Sequence, residues 1–244
     1  QAYVEKNLQN AIDKYDIKNG AFCIVMDVNT GEIKAMATLG SYDPNNYLEI
    51  YDDTTALLLE NERAAALALP EASAAYEAAI ETYKQDVAAA RMAQWRNRCV
   101  SDGYEPGSTF KLITLASALD SGAVTLNDSF YCGGQEKFTG REQILNCWKS
   151  AGHGAQTTAQ ALGNSCNIAF GHIGLRMGGD TFYDYLKSFG VMEKTGVDLP
   201  GEASGLFYER KYLNDPANYG TSYLITSSFG QSFRITPMQL VRSV

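Results

Sequence analysis

Apolar and polar positions change period several times along the chain. Val4, Leu8, Ala11, Ile12 and Tyr15 recur at helical spacing, which predicts an amphipathic helix over 3–17. AFCIVMDV (21–28) and IKAMATL (33–39) are β-rich runs joined by the turn NTGE (29–32), which predicts a hairpin. GSYDPNNY (40–47) is loop by composition. From about 49 to 98 the chain is rich in Ala, Glu and Leu, so it is expected to be helical, with Pro70 breaking or starting a helix. No heptad persists there for three turns, which favours an inserted helical hairpin over a coiled-coil partner site. Further on, LITLASALDSG (112–122) predicts a buried helix closed by Gly122, and a Gly-rich stretch follows to Gly154. TTAQALGNS, NIAFGHIGLRMG and DTFYDYLKSFG read as helices, the last N-capped by Asp180, and a further helix is expected after Thr236-Pro237.

Composition narrows the classes. With 244 residues, 45% apolar and 20% charged, the chain is long enough to bury a core of ordinary make-up. A net charge of -8 argues against a nucleic-acid partner. No apolar run approaches the roughly 18 residues that span a bilayer. The polar start, without an initiator Met or a signal peptide, suggests a cut end. The five cysteines (Cys23, Cys99, Cys132, Cys147, Cys166) are too scattered for a disulfide framework. Cys132 and Cys147 could be bridged across a hairpin or remain buried free thiols. No CxxC or HxxxH spacing supports a zinc site with His153.

The sharpest chemical signal is EPGSTFK (105–111). Ser108 and Lys111 stand at i and i+3 at the start of an apolar helix, on one face, so the amine can reach the hydroxyl. A lysine whose pKa is lowered by burial can take the serine proton, and the helix N-terminus adds positive potential. Alone the spacing is weak, since a surface serine beside a solvated lysine produces it too. A second pair, Ser165 and Asn167 in GNSCNIAF, suits a hydroxyl that relays a proton and an amide that orients the lysine and the substrate. Ser165 as a helix N-cap is compatible with this. His153, between two glycines, and His172, in an apolar helix, read as structural.

EPGSTFK, CGG…NCW…GHG, NSCNIAF, TGVDLPGEASG and FGQSFRITPMQL, in this order, resemble class B penicillin-binding proteins over nearly the whole chain except 49–98. The likeness is nearest the sporulation and cell-division transpeptidases of Gram-positive, clostridium-like bacteria. It implies an α+β, β-lactamase/transpeptidase-like fold, with an antiparallel sheet flanked by helices beside a mainly helical subdomain. Residues 1–244 would be one transpeptidase domain, C-terminally incomplete and carrying a helical insertion at about 49–98. The family's third motif, K-T-G, is spelled at Lys194-Thr195-Gly196, but within FGVMEKTGVDLPGE, a structural segment in this family. The working motif and its strand are expected beyond Val244, so the chain by itself is expected to be inactive.

The resemblance further implies a serine D,D-transpeptidase with catalytic residues Ser108, Lys111, Ser165 and Asn167. Its substrates would be peptidoglycan stem peptides ending in D-Ala-D-Ala, and β-lactams would acylate Ser108. A membrane glycosyltransferase of the division or sporulation machinery is the implied partner, and no metal and no organic cofactor are implied. The implied location is the outer face of the bacterial cell membrane, with an anchor N-terminal to this sequence. A β-lactamase or D,D-carboxypeptidase of the same fold, and a non-catalytic penicillin-binding scaffold, are the alternatives.

Overall fold

In the computed structural model, which describes residues 1–18, 20–38, 40, 42–215 and 219–244, the opening helical pattern forms α1 (Ala2–Tyr15). The β-rich runs form β1 (Phe22–Met26) and β2 (Ile33–Thr38), paired antiparallel with a register shift between Val25 and Met26. Their turn is organised by the Asp27 carboxylate, which accepts from the backbone N–H groups of Asn29 and Thr30. Gln1 pins the start of α1 to β2, its amide donating to Met36 O at 2.6 Å and accepting from Met36 N at 2.9 Å. Leu39, at the end of the second expected run, and Ser41 of the loop lie outside the described residues.

The Ala-rich stretch forms α2 (Asp53–Leu67) and α3 (Ala74–Trp95), packed against each other. Asp52 caps α2 through Thr55 N, and Ser73 caps α3 through Tyr76 N. Pro70 falls between them, where its missing N–H costs no helix bond. The end of α3 is tied to the preceding loop: Trp95 Nε1 donates to Tyr47 O at 2.8 Å and Gln94 Nε2 to Glu49 O at 2.6 Å.

The chain divides into two compact units, Gln1–Cys99 and Val100–Val244, with the single turn α4 (Arg98–Ser101) running from one into the other. The second unit begins its core at α5 (Lys111–Asp120), entered through a 3-10 turn over Gly107–Phe110. Then come β3 (Ser129–Cys132), β4 (Gln135–Glu136), β5 (Leu145–Asn146) and β6 (Gly154–Thr157), paired antiparallel as β3–β6 and β4–β5. Helix α6 (Thr158–Gly163) opens with a capping box between Thr157 and Gln160. It is followed by α7 (Asn167–Ser188), α8 (Arg210–Leu213), α9 (Gly220–Ser227) and α10 (Pro237–Ser243).

The two helices expected from NIAFGHIGLRMG and DTFYDYLKSFG form one element, α7, interrupted at Gly178 (φ 74, ψ 158). Asp180 therefore lies inside α7 rather than as an expected N-cap, and its carboxylate accepts from Asn214 Nδ2 at 2.9 Å. Helix α7 packs on α5 and α9, burying Phe110, Ile113, Ile168, Phe170, Ile173, Phe182, Leu186 and Ile225. Phe110 meets Phe233 edge-on at 4.8 Å, which joins the start of α5 to the 230–235 segment. Antiparallel pairs with packed helices place the chain in the α+β class. No helix among the described residues is long and apolar enough to cross a membrane.

Candidate active site

The start of α5 is built by its neighbours in the tertiary structure. Tyr104 and Ile235 exchange backbone hydrogen bonds at 3.0 and 3.1 Å. Glu105 Oε1 accepts from Ser232 N at 2.8 Å, and Gly107 N donates to Gly230 O at 2.8 Å. A side chain on Gly230, whose φ is +83°, would put its Cβ 2.0 Å from Gly107 O, so only glycine allows this approach. The segment before Ser108 is thus clamped on the 230–235 strip, and Ser108 is left exposed at its end.

Lys111 projects from the same turn into the core and is 1% exposed. Its Nζ lies 3.1 Å from Ser108 Oγ, 3.0 Å from Ser165 Oγ, 2.8 Å from Ser165 O and 2.7 Å from Asn167 Oδ1. The other three sequence-selected residues, Ser108, Ser165 and Asn167, therefore converge on the Lys111 amine. The Phe170 ring lies 5.3 Å from Nζ. Burial pulls the Lys111 pKa down to about 8, with the sulfurs of Cys166 and Cys147 working the other way. As a neutral amine, Lys111 has two N–H donors for the Asn167 and Ser165 oxygens and a lone pair that accepts from the Ser108 hydroxyl.

The second pair is presented by the end of α6. Ser165 N donates to Leu162 O and Cys166 N to Ala161 O, the two bonds of a Schellman helix terminus. That motif places its C′ residue in left-handed backbone, usually glycine, and here Ser165 occupies it at φ +48°. Ser165 is accordingly not the N-cap of the next helix. Cys166 is, its Sγ accepting from Ala169 N at 3.5 Å, which starts α7 at Asn167. Two helices separated by a three-residue turn direct the Ser165 oxygens and the Asn167 amide at Lys111.

Lys194-Thr195-Gly196 is irregular backbone, neither strand nor helix. The Glu202 carboxylate accepts from Thr195 N, Thr195 Oγ1 and Gly196 N, and Arg242 Nη1 donates to Lys194 O at 3.2 Å. His172 is half-buried, its Nε2 2.8 Å from Glu136 Oε1, with its ring against Phe138.

The cysteines settle the question left open between a bridge and free thiols, and they gather where no spacing signalled it. All five are free, so Cys132 and Cys147 are not bridged. The distance in sequence that spoke against a metal-type cluster is overcome by folding. Cys132 ends β3, Cys147 follows β5, His153 precedes β6, and Cys166 caps α7. One Sγ or ring nitrogen from each lies within 4.8 Å of every other. Periodicity and motif spacing carried no sign of this, and neither did they indicate the Glu105–Ser232 clamp.

The model of the penicillin binding protein transpeptidase domain matches residues 21–244. Stage V sporulation protein D of Bacillus subtilis is 33% identical over 245 residues, covering 100% of this chain and 30% of that protein. Peptidoglycan D,D-transpeptidase FtsI of Escherichia coli is 27% identical over 252 residues, covering 99% of this chain and 32% of that protein. The chain thus spans about a third of the length of these curated relatives. Among solved structures, penicillin binding protein 3 of Mycobacterium tuberculosis, complexed with aztreonam, superposes with a TM-score of 0.69 at 24% identity, covering 98% of this chain and 43% of that one. The transpeptidase domain of Burkholderia pseudomallei penicillin-binding protein 3 gives 0.67 at 21% identity, covering 100% of this chain and 55% of that one. These two likenesses concern the fold.

Proposed function

Since the chain belongs to the penicillin binding protein transpeptidase domain family, we propose that it carries the acylation centre of a serine D,D-transpeptidase. The observation that carries the reading is the single buried amine within hydrogen-bond reach of Ser108, Ser165 and Asn167.

In this mechanism neutral Lys111 takes the Ser108 proton as Oγ bonds to the penultimate D-Ala carbonyl carbon of a stem peptide. The tetrahedral adduct collapses by breaking the C–N bond. The departing D-Ala amine receives a proton from the Lys111 ammonium, relayed through the Ser165 hydroxyl. An amine of a neighbouring stem then attacks the ester carbonyl, gives up a proton along the same path, and releases Ser108 with a new amide. Asn167 holds Lys111 by its Oδ1 and has its amide N–H₂ available for the substrate backbone. A β-lactam undergoes the first step, but its leaving nitrogen stays tethered to the acyl group, so the ester persists.

The Lys194–Gly196 segment stays outside the chemistry in this reading, consistent with its bonds to Glu202. We read α2 and α3 as an insertion into the transpeptidase domain. The names of the relatives support work on peptidoglycan and a link to sporulation. A place at the outer face of the cell membrane, in division or sporulation and beside a glycosyltransferase, belongs to the same proposal and rests on the family resemblance.

Labelling of the full-length protein with fluorescent penicillin tests the proposal. One adduct is expected, at Ser108, and none in Ser108→Ala. A label that survives in that variant, or penicillin turnover at β-lactamase rates, overturns it.

A further inference from the structure

We propose that Cys132, Cys147, His153 and Cys166 form a tetrahedral binding site for a zinc-class metal ion, which locks the turn carrying Ser165 and Asn167. The four residues come from separate elements and contribute one ligand atom each, all within 4.8 Å of one another. In a tetrahedral site with Zn–S near 2.3 Å and Zn–N near 2.0 Å, ligand atoms stand about 3.5–3.8 Å apart. Cys147 Sγ and His153 Nδ1 are already 3.7 Å apart. Closing the rest of the set around an ion takes shifts of about an ångström or less, on the same metal–ligand lengths.

The chemistry of the donors points the same way. Cys132, Cys147 and Cys166 are 1%, 6% and 0% exposed and all are free thiols. The other ring nitrogen of His153, Nε2, is buried without a hydrogen-bond partner. A disulfide would use two of these sulfurs and leave the third thiol and the imidazole unserved, whereas a metal takes one donor atom from each of the four, Nδ1 from His153, with Nε2 still to find its own partner. Three thiolates with one imidazole favour zinc over hard cations such as calcium or magnesium. Each thiol gives its proton to solvent as its sulfur–metal bond forms, and no oxidant or reductant enters. Three thiolates on a divalent ion leave a single net negative charge.

Cys166 stands between Ser165 and Asn167, so an ion holding its sulfur fixes both side chains against Lys111 at one remove. The cluster is thus a positioning site for the proposed acylation centre, although its occupancy can be read independently of that activity. Trp148 covers the His153 ring edge-on at 5.4 Å and donates to Asn164 O at 3.0 Å, which joins the cluster to the same turn.

The test is metal analysis of the full-length protein purified under reducing conditions without chelator. One zinc ion per chain is expected by inductively coupled plasma mass spectrometry, and its removal should lower Tm. Cobalt substitution should produce thiolate-to-metal charge-transfer absorption and the intense visible bands of tetrahedral cobalt. Cys132→Ser and His153→Ala should each weaken zinc binding by more than the roughly 10–100-fold that changes outside the ligand shell cost. Cys23→Ser and Cys99→Ser should retain the ion. If a ligand variant fails to fold, the cobalt spectrum of the wild type still decides. A folded protein that takes up neither zinc nor cobalt, or one isolated with two of the three sulfurs joined as a disulfide, overturns the proposal. Penicillin labelling that fails while zinc is bound would count against the acylation centre and leave the metal site standing.

Discussion

Lys111 Nζ sits 3.1 Å from Ser108 Oγ with Lys111 buried and Ser108 exposed, so the amine is sheltered while the hydroxyl faces solvent. The amine meets oxygen acceptors on three residues, and among the described residues no carboxylate forms an ion pair with it. A buried cation without a counter-ion gives up its proton more easily than a free lysine, and that property connects the fold to the proposed chemistry.

The first prediction concerns pH. Lys111 must be neutral to accept the Ser108 proton, and its pKa is lowered to about 8 by burial. Acylation by penicillin should therefore fall by about tenfold per pH unit below that value and level off above it. Lys111→Arg, which stays charged, should block acylation at every accessible pH. A flat rate profile between about pH 6 and 9 in the wild type would remove Lys111 from the role of base.

Ser165 separates strain from chemistry. It holds left-handed backbone at φ +48°, in the Schellman position where glycine is easier. Ser165→Ala and Ser165→Gly both remove the hydroxyl, and both should slow acyl transfer by about 10²-fold or more. They should differ in stability, the glycine variant being firmer by about 1 kcal/mol because it carries no Cβ into that region. Equal denaturation midpoints for the two would show that the backbone there is not strained.

Two glycines with similar φ give a steric comparison. Gly230 (φ +83) has Gly107 O at 2.0 Å from an added Cβ, whereas Gly122 (φ +72) has nothing within 4 Å. Gly122→Ala should cost about 1–2 kcal/mol from the backbone alone. Gly230→Ala should cost more than about 3 kcal/mol and should also slow acylation, since the displaced atoms precede the nucleophile. Urea titration of the two variants compares them directly.

Lys194 tests the reading of the K-T-G segment. Its side chain is exposed, with its charge near the Glu202 carboxylate, and its carbonyl accepts from Arg242. Lys194→Ala should leave penicillin acylation within about twofold of wild type, as expected of a surface change. Glu202→Ala leaves the backbone N–H groups of Thr195 and Gly196 without their acceptor and should lower stability by about 1–3 kcal/mol. Loss of labelling in Lys194→Ala would return this lysine to the site.

Local order was legible in the chain because short-range rules produce it. The 21–39 hairpin follows from β-rich runs and an Asn/Gly turn, and α2 and α3 follow from Ala-rich composition interrupted at Pro70, whereas their caps at Asp52 and Ser73 emerged from the structure. Ser108 with Lys111 is one helical turn, so their contact is local too. Whether Ser165 and Asn167 reach that amine was not local. It depends on how α5 and α7 pack and on the turn between α6 and α7. The expected cap at Ser165 failed for a related reason, since the end of α6 took that residue before α7 could.

By itself the sequence determined α1, α2, α3, α5, α6 and α10, the first hairpin and the serine–lysine pair, because neighbours within about four residues share a face or a turn. Only the tertiary structure decided that Cys132, Cys147, His153 and Cys166 meet, and that Gly230 must be bare beside Gly107. Contacts across tens of residues are set by which faces the core buries, and no spacing rule along the chain encodes that choice.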